Sequence, residues 1–565
     1  MINIFLFSFL SSIYLLCAGI IFLRKNKRDL SEIYLSIFLG AIILSFVAIF
    51  ANFLTSLSQT FNTFILILVL TFGTIFIFKK KIFYQSIFVT ILISIISTLI
   101  LTFDTIYRPD ASMYHLPYTK IINDDKIIFG ISNIHFRFGH TSILQYLNAI
   151  FNNHIFNFKG IIIPAAIIFS SMILYFYNEI NRNFDKDKKY SYSIFLILAF
   201  ILYGYNRYSE FGNDTLAHLY FLLICSFLIK KDFQEKLDLR TFSIISLLSL
   251  FCFMLKSSLI LIFLIPVYLC FYNFNKKYFI NSINLFTLIF TLVWFTKNLI
   301  VSGCLIYPIE ITCFEQLKWF TNDTNFVTSA KIQSLDNQAW SKGWSNYIGP
   351  KITQELFVKD FFWVKTWLSV HGIFVFKKLS IFLIVLLVLH LLLVRTDPKK
   401  FIVNEKVNRE ILFLFFLSII GVLMWFLRFP IFRYGSSYIV LFIVIFATIF
   451  SIKNLIEKKN TVKFKKFINN CIIVFFMLFL LKHINRIYQN FDIETINDPW
   501  PKFHSKDQNN LNFKSDPIII NGLVGYYLLK SNDGCGYTVS PCSPYKAEKI
   551  NMIIKNGYKM YYIEN

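Results

Sequence analysis

Charge is what this sequence has least of. Only 16% of its 565 residues are Asp, Glu, Lys or Arg, against about one quarter in soluble domains. Internal repeats and low-complexity linkers are missing. So are a Walker lysine loop, a dinucleotide fingerprint and an HExxH helix, which removes the nucleotide and metalloprotease chemistries those motifs serve. His115, His135, His140 and His154 share one stretch, but their uneven spacing and lack of Cys partners argue against structural zinc. No metal and no cofactor is implied.

What is present is apolar: 56% hydrophobic and 19% aromatic residues, with a mean hydropathy of +0.59. A soluble protein of this size could not cover so much Phe, Ile and Leu. The chain therefore reads as an all-α polytopic membrane protein in contact with the lipid bilayer. The formal charge of +24 does not point to nucleic acid, because Lys and Arg sit in short segments between apolar runs, the pattern that orients membrane proteins.

Runs long enough to be spans fall at 1–23, 33–56, 60–78, 82–103, 160–178, 190–205, 216–229, 241–255, 258–273, 279–300, 378–394, 411–427, 434–452 and 468–482, about fourteen in all. If the first ends in the cytoplasm, the inside loops are 24–32, 79–81, 178–190, 230–240, 274–278, 395–410 and 453–467. These loops hold half of the 56 Lys and Arg but under half of the 32 Asp and Glu, and each has a basic excess. Both termini are then extracytoplasmic. The first span lacks a basic n-region and reads as an anchor, not a cleaved signal peptide. Three outer regions are large enough to hold structure: 104–159, 300–377 and a tail, 483–565, that reads as a small α/β appendage.

On this topology all eight tryptophans (294, 319, 340, 344, 363, 367, 425, 500) lie on the outer side. An interfacial belt or a surface that stacks on sugars or guides a lipid would use them. Cys17, Cys225, Cys252, Cys270 and Cys471 lie in spans and read as small apolar fillers. Cys304, Cys313, Cys535 and Cys542 are outside; the local pairs Cys304–Cys313 and Cys535–Cys542 are the simplest, with free thiols the alternative.

The few outer acids can be weighed singly. Asp104 and Asp110, with Tyr114 and His115, sit just beyond the end of the fourth span. A partly desolvated carboxylate there suits a general base, whereas a plain helix N-cap is the structural alternative for Asp110. Glu210 and Asp214 form a second acidic group before the seventh span. Lys256, Lys297, Arg428 and Arg433, followed by Tyr434, are cations at outer span ends that suit a lipid phosphate, or else snorkel to headgroups.

Asp110-Ala-Ser-Met-Tyr114-His115-Leu116-Pro117 resembles the Asp-x-x-x-Tyr-His-Leu-Pro element of bacterial GT-C glycosyltransferases, the polytopic enzymes related to protein mannosyltransferases and lipid A aminoarabinose transferase. Lys297-Asn298…Gly303…Tyr307-Pro308 is similar to a later element of the same superfamily. Glu210-Phe-Gly212-Asn-Asp214, Lys256-Ser257 and Cys535…Pro541-Cys542-Ser-Pro544-Tyr545 look like a group of bacterial membrane proteins found with surface-polysaccharide genes. Together these elements reach over about 100–545.

The resemblance implies a GT-C-like catalytic module over 82–482, preceded by N-terminal helices over 1–81 and followed by an extracytoplasmic domain over 483–565. It also implies a bacterial inner-membrane location. The donor would be a polyprenyl-phosphate-linked sugar, and the acceptor a glycan, lipid or protein. Asp110 would be the base of an inverting transfer, with Asp104, Asp214 or Glu210 assisting and the basic residues and Tyr307 binding substrate. Two departures stand out: three spans precede the base loop, and a clean Asp–Glu pair is absent. A polysaccharide polymerase or ligase and a non-enzymatic flippase are the competing readings. The arginine-free loop 300–377 counts against the first, and spans nearly free of ionisable residues count against the second.

Overall fold

The computed structural model describes the chain apart from residues 23–28, 105–109, 141, 206–213, 231–236, 273–280, 322–328, 395–407, 452–460, 492–497, 502–514, 530–533, 548 and 564–565. Short polar residues start many of its helices by accepting from free backbone N–H groups. Asp29 caps α2 (Leu30–Leu54), Ser58 caps α3 (Gln59–Lys79), and Ser142 with Gln145 forms a capping box on α6 (Ile143–Ile150). α1 (Ile2–Gly19) precedes these, and α4 (Phe83–Leu101) and α5 (Leu116–Asp124) lie between them. Then follow α7 (Ile163–Asn183), α8 (Lys188–Gly204), α9 (Asp214–Ile229), α10 (Leu239–Leu255), α11 (Leu264–Tyr272) and α12 (Ser282–Ser302). Gly303, at φ +77°, closes α12 in the left-handed conformation. Short helices α13 (Ala330–Ser341), α14 (Gln354–Lys359) and α15 (Trp363–Trp367) lead to α16 (Ile373–Val394), α17 (Arg409–Arg428), α18 (Phe432–Ser451) and α19 (Thr461–Asn490).

Each apolar run expected as a span falls on a helical stretch. Among the described residues, ten stretches are long and apolar enough to cross a membrane, while Asp214–Ile229, Leu239–Leu255 and Ser257–Tyr272 are apolar but shorter. The last two are separated by extended backbone at Lys256 (φ −153°, ψ 109°), which ends α10 and starts a 3-10 turn.

The helices sort the polar residues to two ends. At one end Glu179, 2% exposed, accepts from Ser31 (2.6 Å), Tyr190 (2.8 Å) and Lys230 (3.0 Å). Arg240 pairs with Glu32 beside it (2.8 Å), and Arg182 with Asp29. All come from stretches expected to be inner loops or to border them. At the other end the segments 103–159, 299–321 and the tail interlock: Gly130 N–H donates to Ile300 O (2.8 Å), Asn133 to Trp319 O (2.9 Å), and Phe103 N–H to Pro499 O (2.9 Å). Alternation of ends along the sequence therefore holds in space.

α19 runs to Asn490, into the stretch expected as the tail, and beyond it the described regular elements are strands, where an α/β appendage was expected. β1 (Ser515–Ile520), β2 (Leu523–Leu529) and β3 (Cys542–Ser543) form one sheet, with β1–β2 antiparallel and β2–β3 parallel; β4 (Ile550–Lys555) and β5 (Tyr558–Ile563) form a hairpin. The reason is turn chemistry. Asn521-Gly522 (φ +52°, +77°) and Asn556-Gly557 (φ +53°, +78°) both take the left-handed geometry that tight hairpins need. The tail docks through paired backbone bonds of Phe129 with Lys559 and Tyr561, a Lys559–Asp125 ion pair (2.8 Å), and the Tyr558 hydroxyl on Phe53 O (2.7 Å).

α1 packs on α2, α3, α4 and α7. Gly19 and Gly40 let α1 and α2 touch backbone to backbone. A Cβ on Gly19 would stand 1.8 Å from Ser36 O, and one on Gly40 1.8 Å from Leu15 O, the close approach that small residues allow between membrane helices. Gly40→Ala should cost at least about 1–3 kcal/mol, read as a lower thermal midpoint in detergent, while Ile67→Val at an exposed position should leave it unchanged.

Candidate active site

Asp110 opens a single π-helical turn, Ala111–His115, at the head of α5. Its carboxylate makes no cap hydrogen bond. It accepts instead from Arg433 Nη1 at 2.9 Å. Arg433, the second residue of α18, presents Nε to Asp214 Oδ2 at 3.7 Å, so one guanidinium faces two carboxylates. Asp214, the first residue of α9, is also paired with the Lys256 ammonium. Lys256 lies 4.0 Å from the centroid of the Tyr434 ring. The extended backbone at Lys256 thus turns a break between two helices into a cation beside the acids.

The Arg433 backbone is fixed as well. Its carbonyl meets His218 Nε2 at 2.7 Å, while His218 Nδ1 meets Ser437 Oγ at 2.8 Å. Trp340, near the end of α13, lies 5.8 Å from the guanidinium and is itself 45% exposed. The group remains open: the side chains of Asp110, Arg433 and Asp214 are 40%, 28% and 21% exposed.

Burial opposes ionisation of Asp110, but the charge of Arg433 and its hydrogen bond, then the His115 and Arg137 charges, outweigh it and hold the carboxyl below the usual carboxylate range. Burial of Tyr114, reinforced by Asp110, pushes its phenol up. Burial lowers His115 to about 4, so the ring is neutral at pH 7; its Nδ1 lies 3.3 Å from the Gln145 amide. Two carboxylates with Arg433, Lys256 and Arg137 nearby leave an excess of positive charge, which suits an anion. Arg137, whose guanidinium lies 5.8 Å from the Tyr114 ring, was not singled out from the sequence. Its signal was slight: with Arg108 it is one of two arginines in the loop that carries the acids.

Other expected residues lie elsewhere. Asp104 pairs with Arg486 of α19 (3.3 Å), which also donates to Leu99 O and Thr102 O, and so joins α19 to α4. Lys297 is fully buried, 3.8 Å from the Trp294 ring and 6.0 Å from that of Tyr146. Tyr307 is buried against Gly139 and 5.2 Å from the His140 ring. Arg428 is exposed at the end of α17, near Lys342, whose ammonium burial and the Arg428 charge lower to about 8. Glu210 lies outside the described residues. Cys304–Cys313 and Cys535–Cys542 are disulfides. Trp294, Trp363, Trp367, Trp425 and Trp500 are buried, and the indoles of Trp367 and Trp425 donate to the Pro430 and Ile431 carbonyls. These rings are packing, not a belt. Among the described residues no three His, Cys, Asp or Glu side chains gather to hold a metal.

Residues 1–440 match the model of a family described as a domain of unknown function (DUF8201). The chain belongs to this family. No curated protein and no solved structure matches it. The family match takes in Asp110, Asp214, Lys256 and Arg433 together, and ends before α19 and the tail.

The low pKa of His115 has a thermodynamic consequence. The unfolded chain binds the proton near pH 6.5, whereas the native state resists it down to about 4. Stability attributable to His115 is thus complete above about pH 6.5 and is lost as pH falls toward 4. A thermal midpoint measured in detergent should fall between pH 7 and 5, and His115→Gln should flatten that slope.

Proposed function

We propose that this protein is a GT-C-like glycosyltransferase of a bacterial inner membrane, moving a sugar from a polyprenyl-phosphate donor to an envelope glycan, lipid or protein. The end bearing Asp110, and both termini, would face away from the cytoplasm. The observation that carries the reading is the convergence of Asp110, Asp214, Lys256 and Arg433, drawn from four separate segments, into one open charged group. A base and a phosphate-holding cation in contact are what such a transfer requires.

In this reaction Asp110 takes the proton of the acceptor hydroxyl as that oxygen attacks the anomeric carbon. The bond from that carbon to the phosphate oxygen breaks with inversion, and the lipid phosphate leaves with its charge balanced by Arg433 and Lys256. Before donor binds, Arg433 keeps Asp110 ionised but weakly basic. A donor phosphate competes for the same guanidinium, so its arrival frees Asp110 and restores its basicity. Asp214 holds Lys256 and Arg433 in place, and the exposed Trp340 ring beside Arg433 offers a face to the sugar.

Asp110→Asn keeps the shape of the side chain and removes the base. It should lower transfer by about 10²–10⁴-fold with normal membrane insertion, measured as lipid-linked sugar and surface glycan by mass spectrometry in a deletion strain complemented with each form. Full activity of this variant would sink the assignment. Arg433→Ala should weaken donor binding and move the acid limb of the pH–rate profile upward, because Asp110 loses the cation that depresses it; Arg433→Lys should keep part of both properties. An unmoved acid limb would separate Asp110 from the rate.

A further inference from the structure

A second concavity of about 820 Å³ lies at the same end of the molecule, outside the Asp110 group. Asn3 and Phe7 of α1, the Ser58–Thr60 entry to α3, α5, the Asn152–Lys159 turn, Trp500 and Tyr537 form its walls. Its lining is rich in amides and hydroxyls already set in place by one another. Gln59 donates to Asn152 (3.0 Å), Asn152 donates to the Tyr537 hydroxyl (2.7 Å), and that hydroxyl donates to Asn123 (2.9 Å). Thr60 Oγ1 lies 3.3 Å from His154 Nε2.

The charges in this lining are paired. Lys120 meets Asp124 at 2.9 Å, and Lys159 meets Asp498 at 2.7 Å. That disfavours a phosphate or another strong anion, which would need an excess of cations. The walls mix apolar rings with amides and hydroxyls in about equal measure, which suits an acyl chain poorly because its burial would strip water from those polar groups. Trp500 is covered by Phe7 (5.4 Å) and Lys159 (5.5 Å), so it is wall. Phe158 is 43% exposed and backed by Tyr537 at 6.5 Å with an interplanar angle of 21°. An aromatic platform beside amides and neutralised charges suits the apolar face and the hydroxyls of a sugar.

We propose that this cleft binds a short stretch of neutral oligosaccharide, stacked on Phe158 and hydrogen-bonded by Gln59, Thr60 and the amides of Asn3 and Asn157. That the bound stretch is the acceptor for transfer rests on the reading of Asp110 given above; the binding itself does not. A physical link joins the two places. Tyr537 lies in the loop closed by Cys535–Cys542, and Gly536 of that loop donates its N–H to Ser112 O (2.9 Å), two residues beyond Asp110. A ligand held against Tyr537 is therefore tied through one loop to the turn that carries the base.

The test uses the full chain in nanodiscs, on an array of neutral bacterial surface oligosaccharides of two to four rings, followed by titration of the best binder. Phe158→Ala should weaken that binding about five- to tenfold, and Thr60→Val should weaken it less, both with unchanged thermal midpoints. Asp110→Asn should bind like the parent. Retention of no oligosaccharide overturns the proposal, as does equal affinity of parent, Phe158→Ala and Thr60→Val. Should sugars bind as described while Asp110→Asn still transfers, the cleft stands and the assignment of Asp110 as the base falls. Should Asp110→Asn lose transfer while no sugar binds, the reverse holds.

Discussion

Everything at the charged end depends on one guanidinium placed between two carboxylates. Arg433 lies 323 residues from Asp110 in sequence yet 2.9 Å from it in space. Asp110 is open enough for water to replace part of a lost partner, whereas Lys256 and Asp214 behind it are more enclosed, and removing either leaves the other's charge poorly compensated. The helices that deliver these residues must therefore keep their relative positions. α9 supplies Asp214, the break after α10 supplies Lys256, the head of α5 follows Asp110, and the first turn of α18 carries the arginine. His218 and Ser437 bind α9 to α18 just below it.

The same constraint separates the two ends of the molecule. Ionisable groups are expensive at membrane depth, and here they collect where water or partners are available. At one end Glu179, only 2% exposed, is wrapped by Ser31, Tyr190 and Lys230, so the acid itself is enclosed. At the other, Asp110 keeps 40% of its side chain exposed. One network holds helices together, and the other is free to exchange partners. That contrast, more than the number of charges, separates a joint from a site.

The tail belongs to the second end. Its Asn-Gly hairpins and its Cys535–Cys542 loop lean on Phe129, Asp125 and Ser112, so a segment outside the family match still touches the turn next to Asp110. The turn that follows Asp110 is braced from both sides, by α18 through the charge of Arg433 and by the tail through a backbone bond.

Composition and the spacing of basic clusters were enough to read an α-helical membrane protein with alternating ends, because hydropathy acts on contiguous residues and needs no tertiary information. The outer acids and cations were legible for the same reason: in so apolar a chain each one is conspicuous. Asn521-Gly522 and Asn556-Gly557 carried the β character of the tail in plain sight. Partnership was a different matter. Asp104 and Asp110 lie six positions apart, yet one faces Arg486 and the other Arg433. Lys297 and Lys256 both stood at helix ends, yet one is packed against Trp294 and the other against Asp214. Which cation meets which acid depends on how the helices cross and rotate, and that is decided by close contacts such as Gly19 against Gly40, not by the local pattern of any single segment.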